Sequence, residues 1–188
     1  VAVGYQSLYA ITDGDHNVSI GSGAGDALTD SGNNVLVGSN AGGALTAGSN
    51  YNVMIGYNSG ATDTANLQNC VLVGRNSGNA ISGGNPDGTV AIGSSALVAL
   101  TSGAKNTSVG YQAGDVLETG GENTIVGYGS DTDDNAATNQ TVIGSEVTGV
   151  ADNSVTLGNA DVTAVYMGSD SGATVHCGDI NVQYDYIR

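Results

Sequence analysis

Asp131-Thr132-Asp133-Asp134-Asn135 is the densest run of hard oxygen donors in the chain, and Asp13-Gly14-Asp15 is a smaller one. Ca²⁺ takes about six to eight such ligands, so Asp131, Asp133 and Asp134 are the candidate metal ligands. The competing reading is a solvated acidic turn. Neither run has the spacing of an EF-hand loop or of the glycine–aspartate repeat of calcium-binding solenoids, and no cofactor is expected. Tyr5, Tyr57, Tyr111 and Tyr128 each follow a glycine. Aromatic rings in a row can stack on sugars or pack against a receptor. They can equally pack over the neighbouring repeat, and Ser22, Ser39, Arg75, Ser94 and Ser145 interrupt the row. His16 and His176 are too many repeats apart to share a metal within one chain. Cys70 and Cys177 are likewise too distant for a disulfide; each reads as a small hydrophobe. No nucleophile, base and orienting group stand together, so the chain does not read as an enzyme.

The elements that must hold these residues are set by an unusual composition. Of 188 residues 31 are Gly and one is Pro, with neither Phe nor Trp. Lys and Arg number 3 against 18 Asp and Glu, for a net charge of −15. Three cations cannot neutralise a row of phosphates, which argues against nucleic acid. The longest glycine-free stretch, residues 130–143, holds Asp131, Asp133 and Asp134, so no segment reads as a membrane-spanning helix. Collagen fails for want of proline and of a glycine at every third position. The opening Val-Ala-Val-Gly has neither initiator Met nor leader and reads as the interior of something longer.

A unit of β-former, variable residue, aliphatic and Gly ends at Gly4, Gly21, Gly38, Gly56, Gly74, Gly93, Gly110, Gly127, Gly144, Gly158, Gly168 and Gly178. The steps are 17, 17, 18, 18, 19, 17, 17, 17, 14, 10 and 10 residues. A small residue stands three after each of the first eight glycines (Ser7, Ala24 and Ala41 among them), and an apolar one usually stands seven after (Ile11, Leu28, Leu45, Ile81, Leu100, Leu117). Asn often precedes the strand, as at Asn17, Asn34, Asn52, Asn106 and Asn123. Val/Ile alternation marks strands, and Gly and Asn supply the backbone reversals. A unit this short cannot bury its own apolar side chains. Stacked at about 4.8 Å, however, each strand bonds to the rungs above and below. The expected fold is an all-β parallel β-roll, a β-solenoid with coils of about 17 residues. Residues 1–154 form the repeat domain, residues 155–178 a tapering short-period segment, and residues 179–188 a cap or linker.

The sequence also suggests which face is sticky. With the flanking aliphatics taken as filling the roll, the middle residue of each strand faces out. No Asp, Glu, Lys or Arg occurs at that position in twelve repeats. Leu36, Met54, Leu72, Ile125 and Val142 then form an exposed apolar stripe, which marks an interface and closes most simply as a cyclic oligomer. An aligned set of threonines, Thr107, Thr124 and Thr141, would point into the roll on the same reasoning, which argues against an ice-binding array.

The units Ser108-Val109-Gly110-Tyr111-Gln112-Ala113-Gly114 and Asn123-Thr124-Ile125-Val126-Gly127-Tyr128 resemble the head repeats of YadA-type trimeric autotransporter adhesins. They resemble still more the VGYQAG repeats of bacteriophage tail fibres. Ser154-Val155-Thr156-Leu157-Gly158-Asn159-Ala160 is similar to the stretch before the self-cleaving chaperone of such fibres. The likeness spans about residues 1–178. It implies a left-handed roll, a homotrimer and attachment to a host or other cell-surface receptor such as a glycan, on a virion or at a cell surface, outside the cell. The steps of 17–19 residues depart from the shorter adhesin unit. A virion tail-fibre segment is the favoured expectation. The head of a bacterial adhesin and a passive fibre spacer are the alternatives.

Overall fold

The computed structural model describes residues 1–62, 66–84 and 86–165. They contain ten strands: β1 (Ala2–Val3), β2 (Val18–Ile20), β3 (Val35–Val37), β4 (Val53–Ile55), β5 (Val71–Val73), β6 (Val90–Ile92), β7 (Thr107–Val109), β8 (Thr124–Val126), β9 (Thr141–Ile143) and β10 (Val155–Leu157). All ten lie in one parallel sheet in sequence order. The chain is therefore a β-solenoid of about nine turns with about 17 residues per coil. Pairing is in register, with Val35 beside Val53, Leu36 beside Met54 and Val37 beside Ile55. Equivalent residues of successive repeats thus stand in columns. β10 continues the sheet after the shortened step, Val155 pairing with Thr141. The repeats ending at Gly168 and Gly178, and residues 179–188, lie outside the described residues.

The columns stack without slipping partly because of a buried amide ladder. The Asn34 backbone N–H and Nδ2 both donate to Asn17 Oδ1, at 3.0 and 3.2 Å, and Nδ2 also donates to the Ser49 carbonyl at 2.8 Å. Asn52 repeats this against Asn34 and Leu67, and Asn123 repeats it against Asn106 and Ala137. Each side chain thus bonds to the coil before it and to the turn that closes its own coil, satisfying backbone groups that would otherwise be buried without partners. At the next ladder position after Asn52 stands Cys70, whose N–H donates to Asn52 Oδ1 and whose Sγ donates to the Pro86 carbonyl at 3.4 Å. After Cys70 comes Thr89, whose buried Oγ1 has no partner among the described residues.

The inward and outward positions of each strand are the reverse of the sequence expectation. Leu36, Met54, Leu72, Ile125 and Val142 are 0% exposed within the single chain. They belong to its core and cannot be the interface stripe. The flanking residues face out: Ile20, Ile55, Ile92, Val109 and Ile143 are 36–42% exposed. The core is completed by the small residues three after Gly (Ala24, Ala41, Ala96, Ala113) and by Leu28, Leu45, Ile81, Leu100 and Leu117, as the repeat predicts. Volume compensation explains the inversion. Where the middle residue is large (Leu36, Met54, Leu72), the residue four after the strand's Gly is Gly42, Gly60 or Gly78. A Cβ on Gly60 would meet Met54 Sδ at 2.7 Å, and one on Gly42 would meet Leu36 Cδ2 at 2.9 Å. Where the middle residue is Ala2 or Ala91, that position is Leu8 or Leu97, and Leu97 is fully buried. One interior slot is filled from either side, at close packing.

Candidate functional site

The outer sheet face is an uncharged surface produced by the columns. Its two columns, the first and third positions of β2 to β10, hold only Val, Ile, Thr and Leu. The carboxylates lie in the turns instead: Asp13, Asp15, Asp133, Asp134 and Glu122 are outside every strand, and all five stand exposed. Glu122 carries one of the few cations, accepting from Lys105 Nζ at 3.1 Å between exposed side chains, a pairing worth little to stability. The sheet face therefore presents apolar, β-branched side chains while the rest of the surface repels other acidic chains. Thr107, Thr124 and Thr141 lie on this face, half-buried, and do not point into the roll.

The four tyrosines of the sequence row border the same face. Tyr5 is 74% exposed, and Tyr57, Tyr111 and Tyr128 are 51–52% exposed. Tyr111 and Tyr128 occupy successive coils and stack, with centroids 5.8 Å apart and planes 13° apart. One face of each ring is thus occupied by the other ring. That geometry suits packing along the rod better than the sandwiching of a sugar ring between two aromatic faces. Tyr9 and Tyr51, exposed elsewhere on the turns, were not part of the row.

Asp131, Asp133 and Asp134 do not converge. Among the described residues, no three His, Cys, Asp or Glu side chains are placed to hold one metal ion. Asp133 and Asp134 are exposed, and Asp133 takes a hydrogen bond from Gln140 Nε2. Asp131 is different because it stands four after Gly127, the slot that in the seven earlier repeats holds Gly or Leu. Its Oδ1 accepts from the Val116 N–H at 3.2 Å. Burial pushes its pKa up from 3.8 to about 7, the Val116 hydrogen bond opposes this, and the neighbouring Asp115 carboxylate adds to the rise. A native pKa above the unfolded one means that the folded state holds the proton more tightly. Its stabilisation is complete below about pH 4 and is lost as pH rises through about 7. Asp131→Asn is therefore expected to melt like the wild type at pH 4 and higher than it at pH 8. Thermal denaturation followed by circular dichroism at the two pH values measures this, and an equal gap at both would remove Asp131 as the cause.

His16 is exposed on a turn, and Cys70 is buried at its ladder position. His176 and Cys177 lie outside the described residues. No helix among the described residues is long and apolar enough to cross a membrane. No family model matches the chain, and comparison with curated proteins and with solved structures returns no match.

Proposed function

We propose that the chain is a segment of a homotrimeric attachment fibre, a left-handed β-roll that presents its outward turns to a host cell surface as part of a virion tail fibre. The observation that carries this reading is the uncharged outer sheet face on a chain of net charge −15. Ten rungs make nine steps, about 43 Å of face at the spacing of a sheet. Two outward columns of that length offer roughly 500 Å² per chain, and two such faces together reach the roughly 1,000 Å² that a specific interface needs. On the same face three acidic rods can meet without bringing carboxylates together. The resemblance of the repeats to adhesin heads and tail fibres supports attachment as the role. The head of a bacterial adhesin fits the same face and the same repeats.

A passive spacer is a second reading, favoured by the stack of Tyr111 on Tyr128, which occupies one face of each ring. Light scattering on the purified chain is expected to give three times the 18.5 kDa single-chain mass. A single-chain mass would overturn the trimer. Binding of the labelled chain to host cells and to a glycan array separates the roles. Saturable binding weakened by Tyr57→Ser supports attachment, and no binding to any surface favours the spacer.

A further inference from the structure

The outer face is not uniform along the rod. Its first column is Val in β2 to β6 and in β10 but Thr in β7, β8 and β9, where Thr107, Thr124 and Thr141 are consecutive register partners. Other threonine hydroxyls close onto the chain itself: Thr12 donates to the Thr29 carbonyl, Thr101 to that of Glu118 and Thr132 to that of Asp134. The three on the face bond nothing among the described residues. They are half-buried hydroxyls on an apolar surface, with their hydrogen-bonding capacity unspent.

We propose that Thr107, Thr124 and Thr141 set the direction and register in which copies of this chain pack: parallel, rung on rung, with the first column of each chain at the common axis and hydroxyl beside hydroxyl. The inference rests on the self-association reading above. Rows of Val and Ile look nearly alike in both directions, and a one-rung shift forfeits only one rung in ten, so the apolar part of the face selects poorly among arrangements. The hydroxyls break that degeneracy. In a fully overlapped antiparallel pair, β7, β8 and β9 fall opposite β4, β3 and β2, and the three hydroxyls are buried against Val53, Val35 and Val18. A buried hydroxyl without a partner is costly. A parallel, in-register arrangement with the first columns at the common axis gives each hydroxyl its own equivalents as partners, and any shift strands at least one threonine against valine. A single polar site in an apolar seam is the best-attested device for fixing register.

The test uses two variants of the full chain, Val37→Cys in β3 and Val126→Cys in β8, refolded together and treated with a short bifunctional maleimide. Linked peptides identified by mass spectrometry distinguish the new thiols from Cys70 and Cys177. In a parallel assembly the two positions are five rungs apart, about 24 Å, beyond the linker; in an antiparallel one they are opposite. With native threonines, only 37–37 and 126–126 links are expected. With Thr107→Val, Thr124→Val and Thr141→Val combined, 37–126 links are expected to approach their statistical share. The triple Thr→Ser variant is expected to restore same-position links. Valine is the residue six other strands use in this column, so the fold is expected to persist, checked by circular dichroism, with Thr124→Val alone as the milder variant. Same-position links alone in the valine variants, or 37–126 links in the native background, would overturn the role of the threonines. A single-chain mass with no links between chains would instead overturn the self-association on which it rests.

Discussion

Leu72→Asp is expected to abolish folding of the individual chain, while Ile55→Asp one coil earlier is expected to leave the solenoid intact. The two residues are one position apart in adjacent paired strands, yet Leu72 is 0% exposed and Ile55 is 39% exposed. Truncating a buried leucine costs about 2–5 kcal/mol from lost transfer and cavity formation alone. An aspartate at the same place adds the desolvation of a charge, or the cost of protonating it. Together these match a large part of the roughly 5–15 kcal/mol that holds a domain folded. At Ile55 the carboxylate reaches water, and the loss is the β-propensity and cross-strand packing of one residue, about 1 kcal/mol. On the trimeric reading, Ile55→Asp places three carboxylates in one seam and yields a folded chain at single-chain mass. Far-UV circular dichroism with light scattering reads both results. A Leu72→Asp chain that folds and melts like the wild type would mean that the middle column is not the core.

That pair also shows what the sequence does and does not reveal. Repeat length, strand positions and most core columns are legible because they depend only on recurrence, and Leu28, Leu45 and Leu117 lie where the repeat puts them. Facing is harder, because both alternations along Val-Leu-Val are apolar and periodicity cannot choose between them. The deciding signal is present but lies in a covariation: Gly60 and Gly78 accompany Met54 and Leu72, whereas Leu97 accompanies Ala91. Two positions that trade volume share one space, so the middle residue must point inward. The Asn column was legible as a turn feature but its role was not. The positive φ falls on the residue before it, at His16, Asn33, Tyr51 and Glu122. Asn17, Asn34, Asn52 and Asn123 are instead buried, donating and accepting along the rod. The half-buried state of Asp131 follows from its place in the Gly/Leu slot, which composition alone does not single out.

Gly74→Ala is expected to cost about 3–5 kcal/mol, among the largest effects any single methyl group can have here. Gly74 ends β5 with φ at +141°, in the region that favours glycine. An added Cβ would lie 2.3 Å from the Gly93 carbonyl oxygen and 2.5 Å from its carbon. The obstacle is backbone, and it cannot yield. Gly74 and Gly93 both donate into the ladder, to Ile55 and Val73 at 2.7 and 2.8 Å, so moving either coil lengthens bonds on both sides. The strain is confined to one interface in a stack where each coil touches only its neighbours. Loss of that interface uncouples the coils before it from those after it. Urea denaturation of Gly74→Ala is thus expected to show a lower midpoint and a broader or divided transition. Gly83→Ala is the control, because nothing lies within 4 Å of its added Cβ. Its change should be within about 0.5 kcal/mol, with a small gain from the stiffer unfolded chain. Equal effects at the two glycines would mean that the stacked column of glycines is not what sets the rise from one coil to the next.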